Sequence, residues 1–150
     1  MKTFHAERTF RGKIIAADAT ITDSGVQIGL FGGDKPHIGA VGILDPAGKI
    51  MVTQFETHRE GILCQQWCEV LAKTGYTPAV VSAGVHYDKA SKEEIVQIVQ
   101  LIHLILVQVY IIQMIVGKQE HVDQRHTVAV QIVDDVAIFL IVHRIGRIDN

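Results

Sequence analysis

Two adjacent glycines followed by a proline and a histidine constrain this chain more than any other feature. The stretch Gly32-Gly33-Asp34-Lys35-Pro36-His37-Ile38-Gly39 lies between two apolar runs, Val26 to Phe31 and Ile38 to Leu44. Both runs are short and rich in strand formers, so the segment reads as a loop joining two strands. Gly32 and Gly33 permit positive φ and let the backbone approach a ligand closely. Their consecutive N–H groups suit an anion nest. Lys35 adds a cation, Pro36 stiffens the turn, and His37 adds a titratable ring. Such a loop at the mouth of a sheet suits a phosphate-bearing ligand. The plainer alternative is a tight hairpin whose His37 only hydrogen-bonds.

The rest of the chain supplies a framework for that loop. Thr9 to Thr22 reads as one or two strands, closed by the turn Thr22-Asp23-Ser24-Gly25. Asp45-Pro46-Ala47-Gly48 is a turn, and Lys49 to Phe55 is a β-branched strand. The order to this point predicts an antiparallel meander. Thr57-His58-Arg59-Glu60 has the spacing of a capping box, with Thr57 as cap and Glu60 three residues on. The helix it opens carries Ile62, Leu63, Trp67, Val70 and Leu71 on one face, and ends at Gly75 with Pro78 beyond. Pro78 to Val85 is a buried strand ending at His86-Tyr87-Asp88. Ser91-Lys92-Glu93-Glu94 is a second capping box, opening a mostly buried helix with Gln97, Gln100, His103 and Gln108 on one stripe. Leu101 to Val116 is the most hydrophobic stretch, short of the roughly 20 residues that span a bilayer. Its many valines and isoleucines leave the helix's extent toward Gly117 open. In the tail, Thr127 to Val133 and Val136 to Val142 suit a terminal hairpin. The expected fold is α+β: two layers, a mainly antiparallel sheet with two helices packed on one face. Residues 1–150 form one domain, with an unassigned apolar extension from about 118.

Bulk properties narrow the function. With 150 residues, 48% hydrophobic and 20% charged, the chain can bury one real core. A net charge of -2 and a pI near 6.4 argue against general nucleic-acid binding, which needs a basic footprint. The start, Met1-Lys2-Thr3-Phe4-His5, lacks the apolar run of a signal peptide. The two cysteines, Cys64 and Cys68, are four apart on a helix and read as small core residues of a reducing cytoplasm. There is no nucleophile elbow, no P-loop and no carboxylate pair spaced for acid–base work. An enzyme in its own right is not indicated.

Three histidines stand where segments end: His37 in the loop, His58 at a helix start and His86 at a strand end. Strand ends and helix starts are where sites form in layered folds. If the three converge, they form either a metal site or, with Lys35 and Arg59, an anion or cofactor site. Asp34, Glu60 and Asp88 lie beside them and can orient the imidazoles. Three separate polar caps are the remaining possibility. His5, His103, His121, His126 and His143 carry no motif.

In their order and spacing, Gly32-Gly33-x-x-Pro36-His37-Ile38-Gly39, His58 and Ala83-Gly84-Val85-His86, followed by Ser91-Lys92, resemble the small D subunit of bacterial gallate decarboxylase, the LpdD family. The resemblance runs from about Gly25 to Ile98. It implies a prenylated-flavin chaperone serving UbiD-type decarboxylases, with a site at Gly32, Gly33, Pro36, His37, Gly39, His58, Gly84 and His86. Lys35 and Arg59 would meet the flavin phosphate. Gln65-Gln66 departs from the resemblance, which leads one to expect an acid–base pair there, and nothing beyond Gly117 matches. The leading expectation is a prenylated-FMN-binding accessory protein that self-associates and partners a decarboxylase. The alternatives are a small metal-dependent enzyme using His37, His58 and His86, or a non-catalytic structural subunit.

Overall fold

The computed structural model describes residues 1–117. Six strands and two helices follow in the order β1 (Lys2–Phe10), β2 (Lys13–Thr22), β3 (Gly25–Gly33), β4 (Ala40–Leu44), β5 (Ile50–Gln54), α1 (Gly61–Lys73), β6 (Ala79–His86) and α2 (Lys92–Gly117). The fold is α+β, as expected. One sheet runs β1-β2-β3-β6-β4-β5 and is antiparallel except for the β3–β6 pair. The proposed terminal hairpin, Thr127 to Val142, lies outside the described residues.

The meander expectation fails between β3 and β4. They do not pair; β6 lies between them, parallel to β3 and antiparallel to β4. The cause is the helical crossover. β5 and β6 both run antiparallel to β4, so they point the same way, and parallel strands need a long connection, which α1 provides. The hairpin alternative for the glycine loop fails with it: the loop bridges across β6.

The local turns follow their chemistry. β1 and β2 form a hairpin through Arg11 and Gly12, both at positive φ, which matches the right-handed strand twist. β1 starts at Lys2, well before Thr9, because a His-Ala-Glu alternation satisfies an edge strand without a long apolar run. At the β4–β5 turn, Asp45 Oδ1 accepts from the N–H groups of Ala47 and Lys49, each at 2.9 Å. Gly75, at φ +76, stops α1 with Tyr76 N–H bonded to the Leu71 carbonyl at 2.9 Å.

Register places the core on one face. Phe4, Ala19, Ile28, Val81 and Gly42 form one transverse row, and Ala6, Ala17, Leu30, Ala83 and Ala40 the next. All ten are buried. α1 covers the β4–β6 side and α2 the β1–β2 side. A side chain at Gly42 would meet Cys68 Sγ at 2.9 Å and Cys64 Cβ at 3.1 Å, so glycine lets α1 sit close on the sheet. Both cysteines are buried core residues, as expected, and burial pushes each thiol up to about 11.

The two capping boxes diverge. The second forms fully: Glu94 N–H donates to Ser91 Oγ at 3.1 Å, and Ser91 N–H to Glu94 Oε2 at 2.9 Å. The first does not form. Thr57 sits at φ +68, α1 begins only at Gly61, and Glu60 at the cap position makes no side-chain capping bond. Gly61 N–H instead donates to Gln54 Oε1 at 3.0 Å. α2 is longer than its apolar stretch suggested. It runs 26 residues and, over Lys92–Tyr110, is long and apolar enough to cross a membrane by length and composition. Its Ile98, Ile102, Ile105, Leu106 and Val109 belong to the buried core. His103, one of the polar positions of α2, is buried and stacked beside Trp67.

Candidate functional site

The glycine loop wraps the end of β6. Asp34 N–H donates to the His86 carbonyl at 2.7 Å, Lys35 N–H to the same oxygen at 3.4 Å, and Gly39 N–H to the Ala83 carbonyl at 2.9 Å. The two N–H groups after Gly33 therefore turn inward to β6. The glycines serve close approach. Gly33 is at φ +84, and a Cβ there would strike the His86 carbonyl; a Cβ at Gly84 would strike the His37 carbonyl. Gly32 is equally enclosed, its Cβ position 2.6 Å from the Ile15 Cα.

This packing holds His37 in place. Its Nδ1 lies 2.8 Å from the Lys35 carbonyl oxygen, which only accepts, so Nδ1 carries the hydrogen. Nε2 then points at His58 Nδ1, 3.0 Å away, and at Glu60 Oε1, 3.3 Å away. His58 Nδ1 lies 3.7 Å from Glu60 Oε2. The Glu60 side chain is only 12% exposed, and its Oε2 accepts the Arg59 N–H at 2.9 Å. The His37 ring centroid is 4.5 Å from that of His58 and 6.3 Å from that of His86. The structure thus gathers all three histidines at one end of the sheet.

His86 belongs to a second, more exposed network. Its Nε2 and the Lys35 ammonium each lie 3.0 Å from Asp88 Oδ1. The Lys35 hydrogen bond, then that of His86, holds the Asp88 carboxyl below its ordinary range. Asp88 N–H in turn donates to Asp34 Oδ2 at 3.0 Å. Among the described residues, the ligand atoms close enough to share one ion are those of His37, His58 and Glu60. The expected triad exchanges His86 for Glu60.

Beside these groups a cavity of about 620 Å³ opens between the start of α1, the end of β6 and the first half of α2. Ile62, Leu63, Val85, Ile95, Ile98 and Ile102 contribute an apolar wall; the polar lining includes Gln66 and His103 and, nearer the histidine cluster, Thr57, His58, Arg59, Glu60, His86 and Lys89. Two of the latter, Thr57 and Lys89, hold positive φ, which is rare for residues other than glycine and costly for a β-branched one. His58, Arg59 and His86 are the sequence-predicted residues that line the cavity. Gly32, Gly33, Lys35, Pro36, His37, Gly39 and Gly84 are not among its lining residues. Sequence reasoning missed the α2 wall and Lys89, whose pattern is that of an ordinary buried helix and a polar turn. It also set His103 aside; His103 lines the cavity, and burial pushes its pKa below the ordinary histidine value. Glu60 was read as half of a capping box and as a carboxylate able to orient an imidazole, and not as a member of the cluster itself.

A cavity of this size, mostly apolar with a few convergent polar groups, is the kind that takes a small molecule or cofactor. The fold and site therefore define an α+β domain with a cavity of small-molecule size. Residues 9–115 match the prenylated flavin chaperone LpdD-like domain, and the chain belongs to that family. The match begins earlier and ends later than the Gly25–Ile98 resemblance. Comparison with the curated proteins gives no match.

Proposed function

We propose that this chain binds prenylated FMN, or FMN, in the cavity and holds it for a UbiD-type decarboxylase of aromatic acids. The observation that supports this reading best is the divided lining. The apolar wall suits a flat, prenyl-extended ring, while Arg59 and Lys89 supply cations for a phosphate. These residues fit the group. When bound, the prenylated flavin supplies the reactive ring that the decarboxylase uses; this chain's residues orient it and keep water from it. In this reading Gly32, Gly33, Pro36, Gly39 and Gly84 shape the loop that sets His37 and, through it, His58. Lys35 contributes less than Arg59, because its ammonium is already paired with Asp88.

Titration of FMN and prenylated FMN tests the reading. Arg59→Ala is expected to weaken binding about ten- to a hundredfold, the equivalent of about 1.5–3 kcal/mol for one charge-assisted contact. Lys35→Ala should weaken it less. Unchanged affinity in Arg59→Ala, with an intact circular dichroism spectrum, would place the ligand elsewhere.

Self-association is part of the same proposal. Ile43 and Met51, cross-strand partners on β4 and β5, are 43% and 45% exposed. Two apolar side chains exposed side by side suit a covering partner better than residues scattered singly do. Light scattering should report an oligomer; a monomer at micromolar concentration would remove this part.

A further inference from the structure

We propose that His37, His58 and Glu60 form a binding site for one divalent transition-metal ion of the zinc class. The ligand atoms come from two separate segments, the loop after β3 and the approach to α1, and all lie within 4.8 Å of one another. His37 Nε2 lies 3.0 Å from His58 Nδ1 and 3.3 Å from Glu60 Oε1, and His58 Nδ1 lies 3.7 Å from the other Glu60 oxygen, Oε2. Ligands bonded at 2.0–2.1 Å to a tetrahedral ion stand roughly 3.3 Å apart, so little movement is needed to admit one.

The donor–acceptor arrangement of the cluster leaves room for an ion. His37 Nδ1 carries its hydrogen toward Lys35, so a neutral His37 presents a bare lone pair at Nε2. A neutral His58 offers at most one hydrogen at Nδ1. That hydrogen can bridge to His37 or to Glu60, and not satisfy both. With His37 Nε2 and Glu60 Oε1 3.3 Å apart, two acceptors then face each other. A proton on His37 Nε2 would pair with Glu60 Oε1, and one metal ion would satisfy all three groups. The surroundings also match a metal site. A ligating histidine ordinarily donates its other N–H to a carbonyl or carboxylate, and His37 does so to Lys35. Gly39 keeps the space clear: a Cβ there would lie 2.7 Å from Glu60 Oε2 and 3.0 Å from His58 Nδ1.

Two nitrogens and one carboxylate suit zinc and its neighbours better than magnesium or calcium. Three protein ligands leave a fourth position. His58 and Glu60 line the cavity, so that position faces it and suits an anionic oxygen of a ligand held there. The metal site itself does not depend on the flavin reading.

The test is zinc titration by calorimetry into chelator-treated protein. One ion per chain is expected. His58→Ala and Glu60→Gln should each lower affinity about a hundredfold or more, beyond the loss that removing a mere supporting contact gives. His5→Ala, which removes an exposed histidine paired with Asp18 and Glu7 on β1, should leave it unchanged. Absence of stoichiometric binding, or binding that survives both site variants, would overturn the proposal. If a site variant does not fold, cobalt(II) in the wild-type protein decides. Intense visible bands of a four-coordinate nitrogen–oxygen site are expected; a weak octahedral spectrum or a thiolate charge-transfer band from Cys64 or Cys68 overturns it. Zinc binding without flavin binding removes the flavin reading alone, and flavin binding without zinc removes the metal site alone.

Discussion

Gly84→Val is expected to destabilise the protein by about 3 kcal/mol, the upper end of the usual overpacking range. The added Cβ would occupy the place of the His37 carbonyl oxygen and crowd the Ile38 nitrogen at 3.1 Å. Both obstacles are backbone, so no side-chain rotation relieves them. The loop has to lift, and lifting it breaks the 2.9 Å bond from Gly39 N–H to the Ala83 carbonyl. His37 then leaves His58 and Glu60. Any protein that remains folded should therefore have lost zinc binding as well. Urea denaturation of wild type, Gly84→Ala and Gly84→Val reads the first effect, with alanine intermediate. Stability of the valine variant within about 0.5 kcal/mol of wild type, the range of an innocuous surface change, would mean that the loop does not cross β6 there.

Trp67→Ala should cost about 3–5 kcal/mol, the range for removing a large buried aromatic. Trp67 is 2% exposed and sits on α1, between the sheet and α2, with its ring centroid 6.4 Å from that of His103. Its removal leaves a void that two helices and a sheet cannot all close. It also takes away the stacking neighbour of a cavity-lining residue, so ligand affinity should fall along with stability. Because Trp67 is the chain's one tryptophan, far-ultraviolet circular dichroism is the suitable probe of unfolding. A loss under about 1 kcal/mol, small for a core truncation, would contradict this placement.

The local elements were legible because their signals are local. Asp45 to Gly48, Gly75 and the Ser91–Glu94 box each use side chains or φ values that act within a few residues. Strand order was not legible, since nothing in Val26 to Leu44 says that a strand forty residues later will separate its two halves. The site was half legible. Histidines at segment ends pointed to one place, and they meet there. Glu60 was legible as a neighbour of the histidines but its direct place among them was not, because Thr-x-x-Glu reads alike whether the threonine caps a helix or, as at Thr57, takes a positive φ and frees the carboxylate. The α2 wall was hidden because Ile95, Ile98 and Ile102 carry the same spacing whether they face a core or a cavity.

The position of β6 also sets when the site can come into being. His37, His58 and Glu60 all precede β6 in the chain, yet the loop carrying His37 is anchored on the carbonyls of Ala83 and His86. As the chain leaves the ribosome, the ligating side chains are present before anything holds them together. They acquire their geometry only when the long-range β3–β6 pairing closes, a slow kind of contact to form. Capture of a ligand is thereby tied to completion of the sheet, and a half-made chain has no site to offer.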